Sequence, residues 1–240
     1  MLKAVFFDAA GTLLEPRNPI GQSYARMAAR FGVAAEPAQV SAAFRRAFHE
    51  TPGLAFGPGH EDGELRRLER EWWRGVVART FDRLGRFDDF DTFFDALFAF
   101  FGDPANWRSD PAAVAVLKRL RARHIALGVL SNFDYRLYGI LDGLGLGRYF
   151  DSITISSEAG YAKPAPEIFR VALDSHGVAA GEAIHVGDSD THDLAGARAV
   201  GIPVIIVAPE LEVPVQIEGG YARVRSLGEI EEAAKRMGLA

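Results

Sequence analysis

Hydrophobic and polar positions along the 240-residue chain change their period twice. Residues 4–7 form an unbroken apolar run that stops at Asp8, with Gly11-Thr12 just beyond. A continuous run of this kind predicts a strand buried on both faces, as in a parallel sheet. From residue 21 to about 101 the period becomes helical. Tyr24, Met27, Ala28 and Phe31 share one face, and Val40, Ala43, Phe44 and Ala47 another. Gly32 and Pro37 separate these two helices. Residues 51–63, rich in Pro and Gly, predict a long loop. Further helices are predicted over 64–84, with Trp72 and Trp73, and over the aromatic-rich stretch 90–101. Gly102-Asp-Pro104 then breaks the chain.

Beyond that break strands and helices alternate, which is the signature of a parallel sheet. Helices are predicted over 111–123, 136–144, 167–175, 194–200 and 228–237. Strands are predicted over 125–130, 152–155, 183–186 and 204–207, and residues 211–225 read as irregular. The expected fold is therefore α/β: a Rossmann-like three-layer core with a parallel sheet, interrupted after its first strand by an all-helical cap. Residues 1–15 and 104–240 are assigned to the core and 16–103 to the cap.

Composition narrows the function classes. A net charge of −5 gives nucleic-acid binding no support. No apolar run approaches the ~20 residues of a membrane helix, and no basic segment with a following apolar stretch opens the chain. A cytoplasmic protein with no membrane partner is expected. The absence of cysteine removes disulfides, thiolate chemistry and Cys-ligated metals.

Polar signatures follow four of the predicted strands: Asp8-Ala-Ala-Gly-Thr12, Ser131-Asn132, Lys163-Pro-Ala-Pro-Glu-Ile-Phe169, and Gly187-Asp188 through Asp193. Right-handed crossovers bring such ends to one crevice beyond the carboxyl edge of the sheet. A carboxylate nucleophile, a hydroxyl and a lysine for an anion, and two carboxylates for a cation suffice for displacement at phosphorus. Each piece also has a structural reading. Asp8 suits a strand cap, Gly187-Asp188 a turn, Asp193 a helix N-cap and Lys163 an exposed loop. All four in order is a far more specific signal than any one.

In these four motifs, their order and their spacing, the sequence resembles the haloacid dehalogenase superfamily across essentially its whole length. The early helical insert is similar to the type 1 cap of that superfamily. Asp8–Thr12, Trp72-Trp73 with Val76-Val77, Ser131-Asn-Phe-Asp134 and Lys163-Pro-Ala-Pro166 resemble one branch in particular. The resemblance implies that Asp8 is the nucleophile forming an aspartyl intermediate. Thr12, Ser131 and the Asn132 amide would contact the transferring oxygens, and Lys163 would neutralise the anion. It further implies Mg²⁺ held by Asp8, the Ala10 carbonyl, Asp188 and, directly or through water, Asp193. The expected partner is a small phosphorylated metabolite, and the expected state a monomer or homodimer.

Position 10 departs from the pattern. Active phosphatases of the superfamily usually carry there a second aspartate, the general acid and base; here it is Ala10. Loss of positioned proton transfer costs about 10²–10⁴-fold in rate. A slow phosphatase, or one borrowing its acid from Asp134, Asp190, His192 or the cap, is the first reading. A dehalogenase needs no acid, but those enzymes carry tyrosine at this place and replace the metal carboxylates. Phosphonate cleavage needs a cap lysine, and residues 15–110 contain none. A non-catalytic binding protein retaining the fold is the alternative from another class. Arg17, Asn18, Arg45, Arg46, His49 and the 51–63 loop are candidate substrate contacts from the cap. Trp72, Trp73 and the phenylalanines of 90–101 read as cap core, and His124, His176 and His185 as helix-end or strand residues.

Overall fold

The computed structural model describes residues 1–239. Its first strand, β1 (Ala4–Phe7), is buried along its whole length. Successive side chains of a strand point to opposite faces. Val5 and Phe7 accordingly enter one hydrophobic cluster, while Ala4 and Phe6 enter another. A strand covered on both sides needs apolar residues at every position, which is why its run is unbroken.

The chain next forms a three-residue strand, β2 (Leu14–Pro16), and the helices α1 (Ile20–Ala29), α2 (Pro37–Glu50), α3 (Asp62–Phe81) and α4 (Phe90–Gly102). It returns through β3 (Trp107–Ser109), antiparallel to β2. That ribbon is too short to leave a periodic trace, and the sequence reading did not contain it. It fastens together the two passages of the chain that lead into and out of the helices. Pro37 opens α2, where its missing N–H costs nothing. Asp89 caps α4 by accepting from the Thr92 N–H at 3.0 Å. The four helices share a hydrophobic cluster containing Tyr24, Phe44, Phe81, Phe93 and Phe94. Within it, Phe87 stacks on Phe93 with ring centroids 4.0 Å apart.

From α5 (Ala113–Ala122) onward strands and helices alternate. They are β4 (Ala126–Ser131), α6 (Arg136–Gly143), β5 (Ser152–Ile155), the single turn α7 (Ser156–Ala159), α8 (Pro166–His176) and β6 (Ala183–Gly187). A tight five-residue turn over Asp190–Leu194 leads into α9 (Ala195–Ala199), followed by β7 (Val204–Val207). Residues 211–225, expected to be irregular, instead contain β8 (Val215–Glu218) and β9 (Tyr221–Val224), before α10 (Ile230–Arg236). The correction has a local cause. Gly219-Gly220 is a hairpin turn, with Gly220 at φ +91°, and it joins two strands whose polar and charged residues break the apolar run that marks the central strands.

The seven-stranded sheet runs β5-β4-β1-β6-β7-β9-β8, every neighbouring pair parallel except β9 with β8. Leu117 of α5, Ile140 of α6 and Ile230 of α10 pack on one face; Phe169 of α8 and Ala197 of α9 pack on the other. The expected three-layer α/β fold with an inserted set of helices is what the chain forms. After β1 the chain crosses to β4 on one side, and later to β6 on the other. The carboxyl ends of these three strands therefore flank a topological switch point, where ligands bind in open α/β sheets. Phe7 lies in register with both Val129 and Val186, so Asp8 emerges level with the ends of β4 and β6.

Candidate active site

Residues 8–14 form a tight loop because two separate features fold it back on itself. The Leu13 and Leu14 N–H groups both donate to the Ala9 carbonyl, at 2.8 and 3.0 Å. Gly11 takes φ +97°, a conformation that costs glycine little. A side chain at Gly11 would also place its Cβ 2.6 Å from an Asp188 carboxylate oxygen. The first and last motifs thus close on each other across a glycine.

Lys163 joins them. Its ammonium donates to Asp8 Oδ1 and to Asp193 Oδ1, both at 2.6 Å. The main chain of Lys163 is clamped by Asn132, whose Oδ1 accepts the Lys163 N–H at 2.7 Å and whose Nδ2 donates to its carbonyl at 2.9 Å. With both ends of its amide so engaged, Asn132 positions Lys163. One carboxylate oxygen from each of Asp8, Asp188 and Asp193 lies within 4.8 Å of the others. Thr12 and Ser131 are both buried here. The Thr12 hydroxyl has no partner among the described residues. Leaving a buried donor unmade costs about 1–3 kcal/mol, so this hydroxyl marks where an acceptor from outside would be received.

Asp193 is more tightly committed than its motif suggests. Besides Lys163, Oδ1 meets His185 Nε2 at 2.7 Å, while Oδ2 accepts the N–H groups of Asp188 and Ser189 at 3.2 and 3.0 Å. Its carboxylate holds the loop and the lysine, leaving Asp8 and Asp188 as the carboxylates with oxygen to spare. His185, read from sequence as a strand residue, is fully buried and supports Asp193 from beneath. Its sequence signal is a single polar residue inside the otherwise apolar run 183–186, just before Gly187.

Three carboxylates face one ammonium, which leaves two negative charges in excess. Burial holds the Asp8 carboxyl above its ordinary pKa, although the Lys163 ammonium pulls it down. Burial also acts to raise Asp193, but the Lys163 charge and the His185 hydrogen bond override it and hold that group well below the usual range. Asp188 is the member open to solvent. Partial loss of solvation of its carboxylate, then the charges of Asp8 and Asp193, push its pKa up to about 6. A hard divalent cation with oxygen ligands matches both the donor set and the charge. The Ala10 carbonyl, which takes no backbone N–H among the described residues, is free to join it.

Residues 2–201 match the family of haloacid dehalogenase-like hydrolases. The chain belongs to that family. It is 37% identical over 214 residues to haloacid dehalogenase-like hydrolase domain-containing protein 3 of Mus musculus, covering 86% of this chain and 82% of that one. This is the branch to which the Trp72-Trp73 and Asp8–Thr12 features are similar. A phosphoserine phosphatase of Thermus thermophilus is 38% identical over 116 residues, covering 45% of this chain and 44% of its own. The solved L-2-haloacid dehalogenase from Xanthobacter autotrophicus superposes with a TM-score of 0.73 and 22% identity, covering all of both chains. At that identity the likeness establishes the fold.

The candidate replacement acids of this hydrolase are all occupied elsewhere. Asp134 is fully buried; it accepts from Trp73 Nε1 at 2.6 Å and from the Arg136 guanidinium at 2.8 and 2.6 Å. Asp190 pairs with Arg223 at 2.7 Å, and His192 with the Ser189 hydroxyl at 3.1 Å. Asn18, Arg45, Arg46 and His49 are exposed, and Arg17 bonds the Ala105 carbonyl at 2.8 Å. None of them lines the cavity that opens beside Ala10 and Asn132. The 51–63 loop instead docks on the sheet domain, where the Leu54 carbonyl accepts from the Ser156 hydroxyl at 2.6 Å. Aromatic residues take the place expected for those polar contacts. Tyr24, Phe94 and Phe98 pack in the cluster of the inserted helices and also wall the cavity.

The inserted helices and the sheet domain meet across buried charge. Glu69 of α3 is fully buried, with Oε1 accepting the Tyr135 N–H at 3.3 Å and Oε2 without a partner among the described residues. Burial, joined by the charges of Asp134 and Glu158, raises its pKa from 4.5 to about 7. The folded protein therefore keeps a proton that the unfolded chain has released across that interval. Stability is greatest below pH 4.5 as far as this group is concerned, and falls as pH rises through 7, by about 3 kcal/mol in total. Thermal melts from pH 5 to pH 8 are expected to fall for the wild type. In Glu69→Gln that slope should flatten, and an unchanged slope would assign the pH dependence to another group.

Proposed function

We propose that this hydrolase is a Mg²⁺-dependent phosphatase of phosphomonoesters or acyl phosphates, working through an aspartyl phosphate on Asp8. The observation that carries the reading is the Asp8–Lys163–Asp193 array, with its 2.6 Å contacts, beside Asp188 and the unpartnered Thr12 hydroxyl. Asp8 attacks phosphorus with the carboxylate oxygen that Lys163 leaves free. Lys163 offsets the charge of the phosphoryl oxygens, while Thr12, Ser131 and the Asn132 main chain donate to them. Asp8, Asp188 and the Ala10 carbonyl would hold Mg²⁺, with Asp193 acting through water or through the loop. When bound, the ion would neutralise the phosphoryl oxygens and favour the ionised form of Asp8 against its burial. Residues 1–15 and 104–240 then act as the catalytic core, and 16–103 as the cap that excludes water.

Ala10 supplies no proton, so turnover should be fastest for leaving groups that depart as stable anions. Hydrolysis of 4-nitrophenyl phosphate is expected with Mg²⁺, to fall by at least about 10²-fold on chelation and to return when the metal is restored. Halide release from 2-chloropropionate faster than phosphate release would overturn the assignment in favour of dehalogenation. Activity indifferent to chelation would remove the metal from it.

A further inference from the structure

The inserted helices and the sheet domain enclose a cavity of about 260 Å³ that reaches the catalytic loops at Ala10 and Asn132. Its walls are rings and aliphatic side chains, among them Phe44, Trp73, Leu97 and Phe101 from the helices and Trp107 and Phe133 from outside them. The lining holds almost nothing that could bind a charged metabolite. Arg136 is the one lining residue with a charge, and its guanidinium is spent on Asp134 and on the Phe98 carbonyl at 3.1 Å, lying 3.8 Å from the Phe98 ring centroid. The Asn132 amide is held at both ends by the Lys163 main chain. The Tyr24 hydroxyl is kept un-ionised by burial, its pKa raised well above the ordinary value.

Volume and position narrow the occupant further. A cavity of roughly 150 Å³ takes up a benzene molecule, so this one has room for a two-ring system. Neighbouring rings of the wall meet edge to face, Tyr24 with Phe44 and Trp107 with Phe133, and such surfaces favour a further aromatic ring. At the mouth stands Ala10, a methyl group where related phosphatases place their acid. An apolar pocket and a missing acid are independent observations, and both suit a phenolic leaving group.

We infer that the substrate of this site is a phosphate monoester of a bulky, uncharged aryl alcohol, with the ring in the cavity and the phosphate at Asp8. The inference rests on the phosphatase reading for its chemistry and on the cavity alone for its specificity. In the step, the Asp8 oxygen–phosphorus bond forms as the phosphorus–aryloxide bond breaks, and the aryloxide keeps the electron pair. Water then attacks phosphorus, freeing Asp8. The overall change is aryl phosphate dianion plus water to aryloxide plus dihydrogen phosphate, so no proton need come from position 10.

Three substrates and one ligand test this on the wild-type protein. They are 2-naphthyl phosphate, the same ester with a neutral carboxamide on the distal ring, acetyl phosphate (too small to need the cavity), and 2-naphthol. Burying the carboxamide unpaired should lower kcat/KM at least about tenfold relative to the parent ester. Without Mg²⁺, 2-naphthol should saturably quench tryptophan fluorescence, because Trp73 and Trp107 line the cavity and Trp72 packs on Trp73. Equal kcat/KM for the two naphthyl esters, with acetyl phosphate hydrolysed, would overturn the inference while leaving the phosphatase reading standing. Should no substrate release phosphate, the phosphatase reading fails. The naphthol titration then decides the cavity: saturable quenching supports an aryl site, and its absence overturns one.

Discussion

Asp8→Asn is expected to lower aryl phosphate turnover on the order of 10⁴-fold or more, with the fold intact. The asparagine side chain has almost the same shape. Its carbonyl can still accept from Lys163, which also keeps Asp193 at 2.6 Å. What it lacks is an anionic oxygen able to attack phosphorus. Structural damage would predict a loss of stability, whereas the charge balance predicts the reverse. Removing one of three clustered carboxylates relieves repulsion in a site with two negative charges to spare. In the absence of Mg²⁺ the variant should therefore melt no lower than the wild type. Steady-state rates with 4-nitrophenyl phosphate and a thermal melt on the same sample check both halves. A rate within about tenfold of wild type would remove Asp8 from the chemistry.

Ala10→Asp is expected to raise turnover of an apolar alkyl ester such as cyclohexyl phosphate by about 10²-fold, and of 4-nitrophenyl phosphate by far less. Alkoxides are poor leaving groups unless they are protonated as they depart. A carboxyl group at position 10 would stand at the rim of the apolar cavity, beside Asp8 and Asp188. Incomplete solvation and like charge both raise a carboxyl pKa there, which keeps a proton available near neutral pH. Ala10 is exposed in the protein without substrate, so the new side chain has room and should cost little stability. The check is the ratio of kcat values for the alkyl and aryl esters in variant and wild type. An unchanged ratio, with a crystal structure placing the new carboxyl over the cavity mouth, would refute the leaving-group argument.

The parts of this account that sequence made legible are those with strong local signals. The apolar run into Asp8 needed only the two-sided burial of β1 to be recognised. The Lys163 and Asp188 motifs sit on loops whose glycines and prolines announce them. Strands β2 and β3 have only three residues each, and β8 and β9 interrupt their apolar positions with polar and charged ones, so none of the four carries the apolar run that marks β1 and β7. At the site, the sequence showed which residues converge but not what each does. Asn132 is bound to the Lys163 main chain, and Asp193 is saturated by Lys163, His185 and two N–H groups; both arrangements exist only in three dimensions. Asn18, Arg45, Arg46 and His49, the polar residues expected to reach substrate from the cap, are exposed instead. The aromatics assigned to packing line the cavity as well, because a helix-period stripe looks the same whether its far end meets protein or an open space.

The central claim is that Asp8 becomes covalently phosphorylated in a site completed by a divalent cation. Rapid acid quenching of the protein with Mg²⁺ and a ³²P-labelled aryl phosphate tests it most directly. The account predicts label on the peptide carrying Asp8, lability of that label to hydroxylamine as for an acyl phosphate, and none in Asp8→Asn. Phosphate release at the full rate with no label on Asp8 at any time of quench, under conditions that preserve acyl phosphates, would contradict it.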